Sequence, residues 1–471
     1  MIESLSALRS HLADNPMLPD AHTVWVGKRG YDAQQFFTFM PIHTIVCADY
    51  GQDSDALADG RTLLSLENRQ GERHEWHHIT EELFQSDFGE HVKATLTESG
   101  PNVKIICYHS GAQIESFVDT TPGTYLFSVR EELRERLDNK LTLPPLLPTI
   151  GVTPIEGEIA ALHRLSFDEL AEKYGTPFVL QLPVGSAGSG TAFIDSAETF
   201  RHWHHAHRDS KVKIARFVDG ASFSINAVVY HDQVICSQPN VQIVGCPECV
   251  RLDTAYCGTD FTITKQYRPE TIERIYDYTT KIGRWLSTQS YQGMYGLDLI
   301  VTPDEDVFVC ELNARFTGEN QFIADYQAMR NMVPLSFFHV AAYANIEIST
   351  DEIDAYNRAL TTPLEGSCLT LHNRLNQPVR IDGDLKPGIY TFSDGHLHFE
   401  RPGLTLSQCR TPGEICIMNA VPSKGALIDA DTTLLRVQTF SSVLANDRRR
   451  LDSETCALID CIYDNLRPTP S

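Results

Sequence analysis

The sequence predicts an α/β fold that becomes α+β in places, and three observations lead to it. Its 471 residues exceed what one ordinary hydrophobic core accommodates, which implies roughly three structural units. The first 140 residues alternate short apolar runs with helix-like stretches, the pattern of a parallel sheet with helices on its faces. Farther along, apolar runs come in pairs divided by turn residues, the pattern of antiparallel strands.

The N-terminal strands are read at "HTVWVG" (22–27), "HTIVCAD" (43–49), "VKIICYHSG" (103–111) and "GTYLFSV" (123–129). "VWVGKRG" lacks the glycine number and spacing of a dinucleotide fingerprint, so unit 1–140 is expected to be a substrate-side scaffold. "REELRERLDNK" reads as a charged helix ending near Lys140, and the following run with Pro144, Pro145, Pro148 and Pro154 marks a boundary. "SFDELAEKYG" reads as a helix with Ser166 as N-cap and Glu169 completing a capping box, and "PFVLQLPV" as the next strand. In "QLPVGSAGSGTAFI" (181–194), Gly185, Ser186, Gly188, Ser189 and Gly190 lie between two apolar strands, where small residues let backbone N–H groups approach an anion. A flexible hairpin turn is the plain alternative, since the Walker pattern is missing. "KIARFVDGASFSINAVVY" (213–230) reads as strand, tight Asp-Gly turn, strand. "TIERIYDYTTKIGRWLSTQ" places Ile272, Ile275, Tyr276, Thr279, Ile282, Trp285 and Leu286 at helical spacing as core. Beyond about residue 350, strand-like runs and the closing helix "ETCALIDCIYDNL" form a further mixed unit. The expected divisions are 1–140, 141–215, 216–348 and 349–471.

"DLIVTPDEDVFVCELNAR" (298–315) joins two apolar runs through an acidic turn. With a four-residue loop at 303–306, Thr302 pairs with Val307 and Asp298 falls directly opposite Glu311. Opposed side chains sit roughly 5 Å apart, and two carboxylates there repel by about 3 kcal/mol at an effective dielectric of about 20. Strand alternation puts Asn313 and then Arg315 on the Glu311 face. Oxygen donors of this kind suit Mg²⁺ completed by substrate phosphates. An exposed polar face, a slipped register, or a carboxylate pair relieved by Arg315 alone are the alternatives.

The order of these elements resembles the ATP-grasp superfamily. A lysine at a domain junction, a small-residue loop after a strand, a strand ending in Phe-Val-Asp-Gly, an amphipathic helix, and an acidic hairpin ending Glu-x-Asn-x-Arg carry the resemblance over about 135–325. The resemblance implies an ATP-dependent carboxylate–amine ligase of the amino acid ligase type, forming an amide or peptide bond through an acyl phosphate. Asp298, Glu311 and Asn313 would hold Mg²⁺, with Mn²⁺ as the alternative ion, against ATP, and Arg315 would steady the acyl phosphate. Lys140, Gln181, Ser186, Gly188, Ser189 and Gly190 would meet the phosphates, the backbone around Arg216, Phe217 and Val218 the adenine, and Ser222 the ribose. The family usually carries a lysine where Gln181 stands and an acid where Ser222 stands; Lys173, Lys211 and Arg216 are the basic residues considered as substitutes. Arg251, Tyr256, Asp260 and Glu319 are candidates for substrate contact. Glu319 also stands where biotin-dependent carboxylases of this superfamily keep an acid, which leaves a biotin-carboxylase-like carboxylase open, as Gln181 leaves open a nucleotide-binding protein with weakened catalysis.

The net charge of -23 argues against nucleic-acid or anionic-membrane binding surfaces, and no run approaches 18 apolar residues. No basic n-region opens the chain, so a cytoplasmic protein acting on small-molecule carboxylate and amine substrates is expected, with a homodimer as the compatible assembly. The twelve cysteines are expected to pack as small hydrophobes; Cys246, Cys249 and Cys257 are a weaker zinc or redox candidate, and "RHWHHAHRD" reads as a solvated helix face.

Overall fold

The computed structural model describes residue 12 and residues 16–74, 79–185 and 190–471. Strands β1 (His22–Gly27), β2 (Thr44–Cys47), β3 (Thr62–Ser65), β4 (Val103–Cys107) and β5 (Thr124–Leu126) form a wholly parallel sheet in the order β3-β2-β1-β4-β5. Val24, Trp25, Val26, Ile45, Val46, Ile105 and Ile106 are fully buried, as in a sheet covered on both faces. Four of these strands match the apolar runs. The fifth, β3, was not anticipated, because it is an edge strand whose Thr62 is exposed and whose two leucines are only half-buried.

Strands β6 (Gly157–Ala161), β7 (Phe178–Gln181), β8 (Thr191–Ile194) and β9 (Lys211–Arg216) make an antiparallel sheet in the order β6-β9-β7-β8. The helix Phe167–Tyr174 lies beside it with Ser166 at its N-cap position. The expected capping box is absent there, for Ser166 makes no side-chain cap hydrogen bond.

The third sheet is the largest. It contains β10 (Ala221–Tyr230), β11 (Gln233–Cys236), β12 (Asn240–Val244), β13 (Tyr256–Asp260), β14 (Gly293–Val301), β15 (Val307–Asn313), β16 (Ser367–His372), β17 (Gly388–Ser393), β18 (His396–Arg401), β19 (Glu414–Met418) and β20 (Thr433–Thr439). Its order is β15-β14-β10-β12-β13-β16-β20-β19-β17-β18, with β11 paired to β10. Two sequence readings change here. Strands β9 and β10 form no hairpin around Asp219-Gly220; they belong to different sheets, and residues 217–220 connect them. Most of the C-terminal strands build no separate layer, because β16 pairs with β13 through Gly258–Leu369, Thr259–Cys368 and Asp260–Ser367 and so continues the same sheet, while residues 379–381, 427–428 and 468–470 form a small sheet with residues 72–73.

Four helices position the site. α1 (Glu131–Asp138) ends at the hairpin β14–β15, and α2 (Pro269–Thr288) buries Ile275, Thr279, Ile282 and Leu286 against the sheet. Ile272, Tyr276 and Trp285 of the same helix are only partly covered. α3 (Asn320–Met329) and α4 (Leu335–Tyr343) are buried on most of their length. His339 of α4 fastens two units together: its Nε2 meets the Phe127 carbonyl at 2.8 Å and its Nδ1 the Met294 N–H at 3.0 Å. Among the described residues no helix is long and apolar enough to cross a membrane.

Candidate active site

Hairpin β14–β15 closes with a loop one residue longer than the count predicts, with Val301 opposite Val307. The ladder runs through Ile300–Phe308 and Leu299–Val309, skips Cys310, and resumes with Asp298 opposite Glu311. An offset of one residue in the turn is thus cancelled by one extra residue in the strand, a β-bulge. The two carboxylates face each other, and the bulge turns the Cys310 carbonyl toward Lys213, whose Nζ donates to it at 3.1 Å.

Asp298 accepts hydrogen bonds from Gln242 Nε2 at 3.0 Å and Asn313 Nδ2 at 2.9 Å. Its carboxyl is nonetheless pushed up to about 7, first by burial, then by the charges of Glu311 and Glu319. Lys140 Nζ stands 2.8 Å from Glu311 Oε2, and its backbone N–H donates to Pro183, just before the small-residue loop. Arg315 donates from Nη2 to Asn313 Oδ1 at 2.9 Å and from Nη1 to Tyr108 at 3.2 Å and the Phe316 carbonyl at 3.1 Å. Asp138, the last residue of α1, accepts from the Ala314 N–H and lies 3.9 Å from Arg315 Nε. Gly296 makes room for this loop, since a Cβ there would sit 2.5 Å from Thr317 Cγ2.

Two facing carboxylates with an amide beside them are hard oxygen donors, and the raised Asp298 carboxyl is what uncompensated negative charge in a shielded cleft produces. The set therefore fits a divalent cation. Among the described residues no three His, Cys, Asp or Glu side chains are grouped to hold a metal by themselves. That leaves the remaining positions of a cation here to water and substrate oxygens, the usual manner of Mg²⁺.

Gln181 donates to Thr191 at 3.2 Å, and directly across the sheet from it, on β9, stands Lys213. Opposed residues share a face, so Lys213 presents a buried cation where Gln181 offers none. Burial lowers the Lys213 pKa, against the pull of Cys310 and Glu311. The other basic residues are engaged elsewhere: Lys173 pairs with Glu158 at 2.9 Å and Arg216 lies 3.9 Å from Glu156, while Lys211 is exposed. The Arg216 N–H is itself donated to the Glu156 carbonyl, Phe217 packs edge-on to Phe193 at 5.8 Å, and Val218 is buried. Ser222 lies on β10 two residues before Ser224, which donates to Glu319 at 2.7 Å. Gly190 is described, its carbonyl accepting from the Leu182 N–H; Ser186, Gly188 and Ser189 lie outside the described residues.

The four substrate candidates divide. Tyr256 and Glu319 are gathered near Arg436 and Arg29, whose charges act on the Tyr256 hydroxyl. Arg251 instead grips Asp431 with two nitrogens, at 3.0 and 2.5 Å. Asp260 is a structural anchor: its oxygens accept from Ile263, Val443 and Leu444 N–H groups and from the Ser442 hydroxyl. Cys246, Cys249 and Cys257 are buried thiols. A cleft of about 840 Å³ opens beside Cys246, between residues 244–248 and 444–453, and none of the hairpin carboxylates lines it. Lys213, Gln242, Tyr108, Arg29 and Arg436 went unrecognised in the sequence. Only Lys213 had a local signal, a lysine at an inward position of an apolar strand.

Residues 137–319 match the family model described as the ATP-grasp domain, and the chain carries an ATP-grasp domain over that span. Solved structures share the fold beyond it. Biotin carboxylase of Campylobacter jejuni, in a complex with β,γ-ATP, is 12% identical over 95% of this chain and 92% of its own, with a TM-score of 0.59. The biotin carboxylase domain of Hydrogenobacter thermophilus 2-oxoglutarate carboxylase, with MgADP and bicarbonate, is 13% identical over 89% and 86%, at 0.56. Carboxyaminoimidazole ribonucleotide synthase of Aspergillus clavatus, complexed with ATP, is 10% identical over 95% and 100%, at 0.54. Identities this low establish the fold alone. No curated protein sequence matches the chain.

Proposed function

We propose that the protein is an ATP-dependent carboxylate–amine ligase. The observation that carries this reading is the facing pair Asp298 and Glu311, flanked by Asn313, Arg315, Lys140 and Lys213. Asp298, Glu311 and Asn313 would hold Mg²⁺, which supplies charge neutralisation to the phosphates when bound. Lys140 and Lys213 bring two ammonium groups to the phosphate side, and Lys213 does so from directly opposite Gln181, which stands where the family usually carries a lysine.

In the reaction, a substrate carboxylate oxygen attacks the γ-phosphorus of ATP, the bond to ADP breaks, and an acyl phosphate forms. An amine then attacks the acyl carbon, phosphate departs with the bonding electron pair, and the amine loses its proton, leaving an amide. Arg315 is fixed in place by Asn313, Tyr108 and the Phe316 carbonyl before substrate arrives, so its donors stabilise developing oxyanion charge without reorganising. A carboxylase of the biotin-carboxylase kind is the second reading, favoured by Glu319, a buried acid that accepts from Ser224 and whose charge acts on Asp298.

The test is ADP release over a matrix of carboxylic acids and amines, with hydroxylamine as a trap. Hydroxamate formation with no need of biotin supports the ligase; ADP release only with biotin and bicarbonate together replaces it with the carboxylase.

A further inference from the structure

A buried arginine and a half-buried one outside the hairpin converge on one point. Arg29 follows β1, and Arg436 lies in the middle of β20, opposite Thr370. A Cβ built on Gly318 would sit 3.5 Å from Arg436 Nη2, 3.7 Å from Arg29 Nη2 and 3.8 Å from Tyr256 Cε1. These are ordinary contact distances, so an added carbon fits beside Gly318 with one terminal nitrogen of each guanidinium within 4 Å of it.

The hydrogen bonds there do not close. Asp32 accepts from Arg29 Nε at 3.0 Å, but its other oxygen is 3.8 Å from Arg436 Nη1, too far for a hydrogen bond. Arg436 is 1% exposed, and its Nε and Nη1 have no hydrogen-bond partner among the described residues, as is true of Asp32 Oδ1. The next carboxylates are committed elsewhere: Glu319 accepts from Ser224 and Asp49 from the Gly30 N–H. A buried guanidinium with idle donors is costly unless an anion completes it.

The place in the fold agrees. In the order β3-β2-β1-β4-β5 the chain runs outward one way from β1 and the other way from β4, so the switch point lies between these two strands. Ligands of open parallel sheets bind beyond the carboxyl ends of strands at such a point. Arg29 leaves β1 there, and Tyr108 leaves β4. The Tyr108 ring lies under both Arg29, at 5.9 Å, and Arg315, at 5.5 Å, linking this point to the hairpin site.

We infer that the space beside Gly318 is a subsite for an anionic group of a substrate, a carboxylate or a phosphate ester, held by Arg29 and Arg436 and distinct from the carboxyl that is activated. The inference rests on the ligase reading for its role in turnover, but the binding itself needs no nucleotide.

Gly318 lies outside the left-handed region of backbone conformation, and a Cβ there meets no clash and starts within 4 Å of both arginines, so Gly318→Asp is the variant that offers its own carboxylate to them. The full chain is melted with sodium succinate, L-glutamate or glycerol 3-phosphate, with glycerol as the neutral control, and the same anions are titrated calorimetrically. At least one anion should raise the wild-type melting temperature by about 2 °C or more. A response to the carboxylates alone, to the phosphate ester alone or to both assigns the group within the class. Gly318→Asp should melt above wild type without anions and bind the responding anion about tenfold more weakly or worse, as expected for losing charged hydrogen bonds. Arg436→Met should lose the same response. The inference is overturned if no anion shifts wild type, or if Gly318→Asp melts lower or keeps the full response. MgATP affinity, measured in parallel on wild type and Gly318→Asp, should be equal; absence of MgATP binding in both contradicts the nucleotide reading while leaving the anion result to stand or fall by itself.

Discussion

Asp298 and Glu311 repel each other inside a cleft, and that repulsion is useful only when a cation is present. Replacing Asp298 with Asn removes it while its single amide oxygen keeps one of the two hydrogen bonds accepted from Gln242 and Asn313. The variant should therefore be more stable than wild type without metal, by about 1–2 kcal/mol in a denaturant titration, and lose about 100-fold or more of turnover. Equal stability together with full activity would remove both carboxylates from the chemistry. At Lys213 the expected effect is on substrate rather than stability. Lys213→Met should raise KM for ATP about tenfold or more, as for a lost charged contact, and adding Gln181→Lys from the opposite strand should restore much of it. A structural role for Lys213 alone would show no rescue. The pairing was legible only in part. Strand alternation was enough to bring Asp298 and Glu311 together, but the bulge at Cys310 and the longer turn left no local mark. They came out right because the two offsets cancel.

At the scale of elements, strands with continuous apolar runs and helices with strong periodicity could be read from the chain, β1 and α2 being the clearest. What could not be read were partnerships. The Asp-Gly turn at 219–220 has the composition of a hairpin, yet β9 and β10 pair into different sheets, a choice made by distant strands. The Lys213–Gln181 opposition follows from that choice, which is why three other basic residues looked equally plausible. His339 shows another long-range tie. It bridges Phe127 and Met294 as a neutral ring, and burial lowers its pKa from 6.5 to about 4, only partly offset by the Phe127 carbonyl. The unfolded chain takes up this proton between pH 6.5 and 4 and the native one does not. Its contribution to stability is thus present above pH 6.5 and lost as pH falls toward 4, by about 2–3 kcal/mol. The stability difference between wild type and His339→Gln, followed by denaturant midpoints, should shrink across that window; a difference independent of pH would contradict the assigned protonation.

For the whole molecule, the continuous third sheet is the feature that decides behaviour. Strand β13 is covered by β16, and β20 brings Arg436 back toward the site. A chain ended after residue 348 would expose the β13 edge and the apolar faces that the C-terminal strands bury, so it should be recovered aggregated or unfolded by circular dichroism. A soluble, folded product would restore the C-terminal strands to an independent unit. The central claim is that a divalent cation joins the hairpin carboxylates to the phosphates of ATP. It is tested most directly by calorimetric titration of a non-hydrolysable ATP analogue into wild type and Glu311→Gln, each with and without Mg²⁺. Magnesium should tighten binding about tenfold or more in wild type and do little in Glu311→Gln; the same magnesium dependence in both proteins would contradict it.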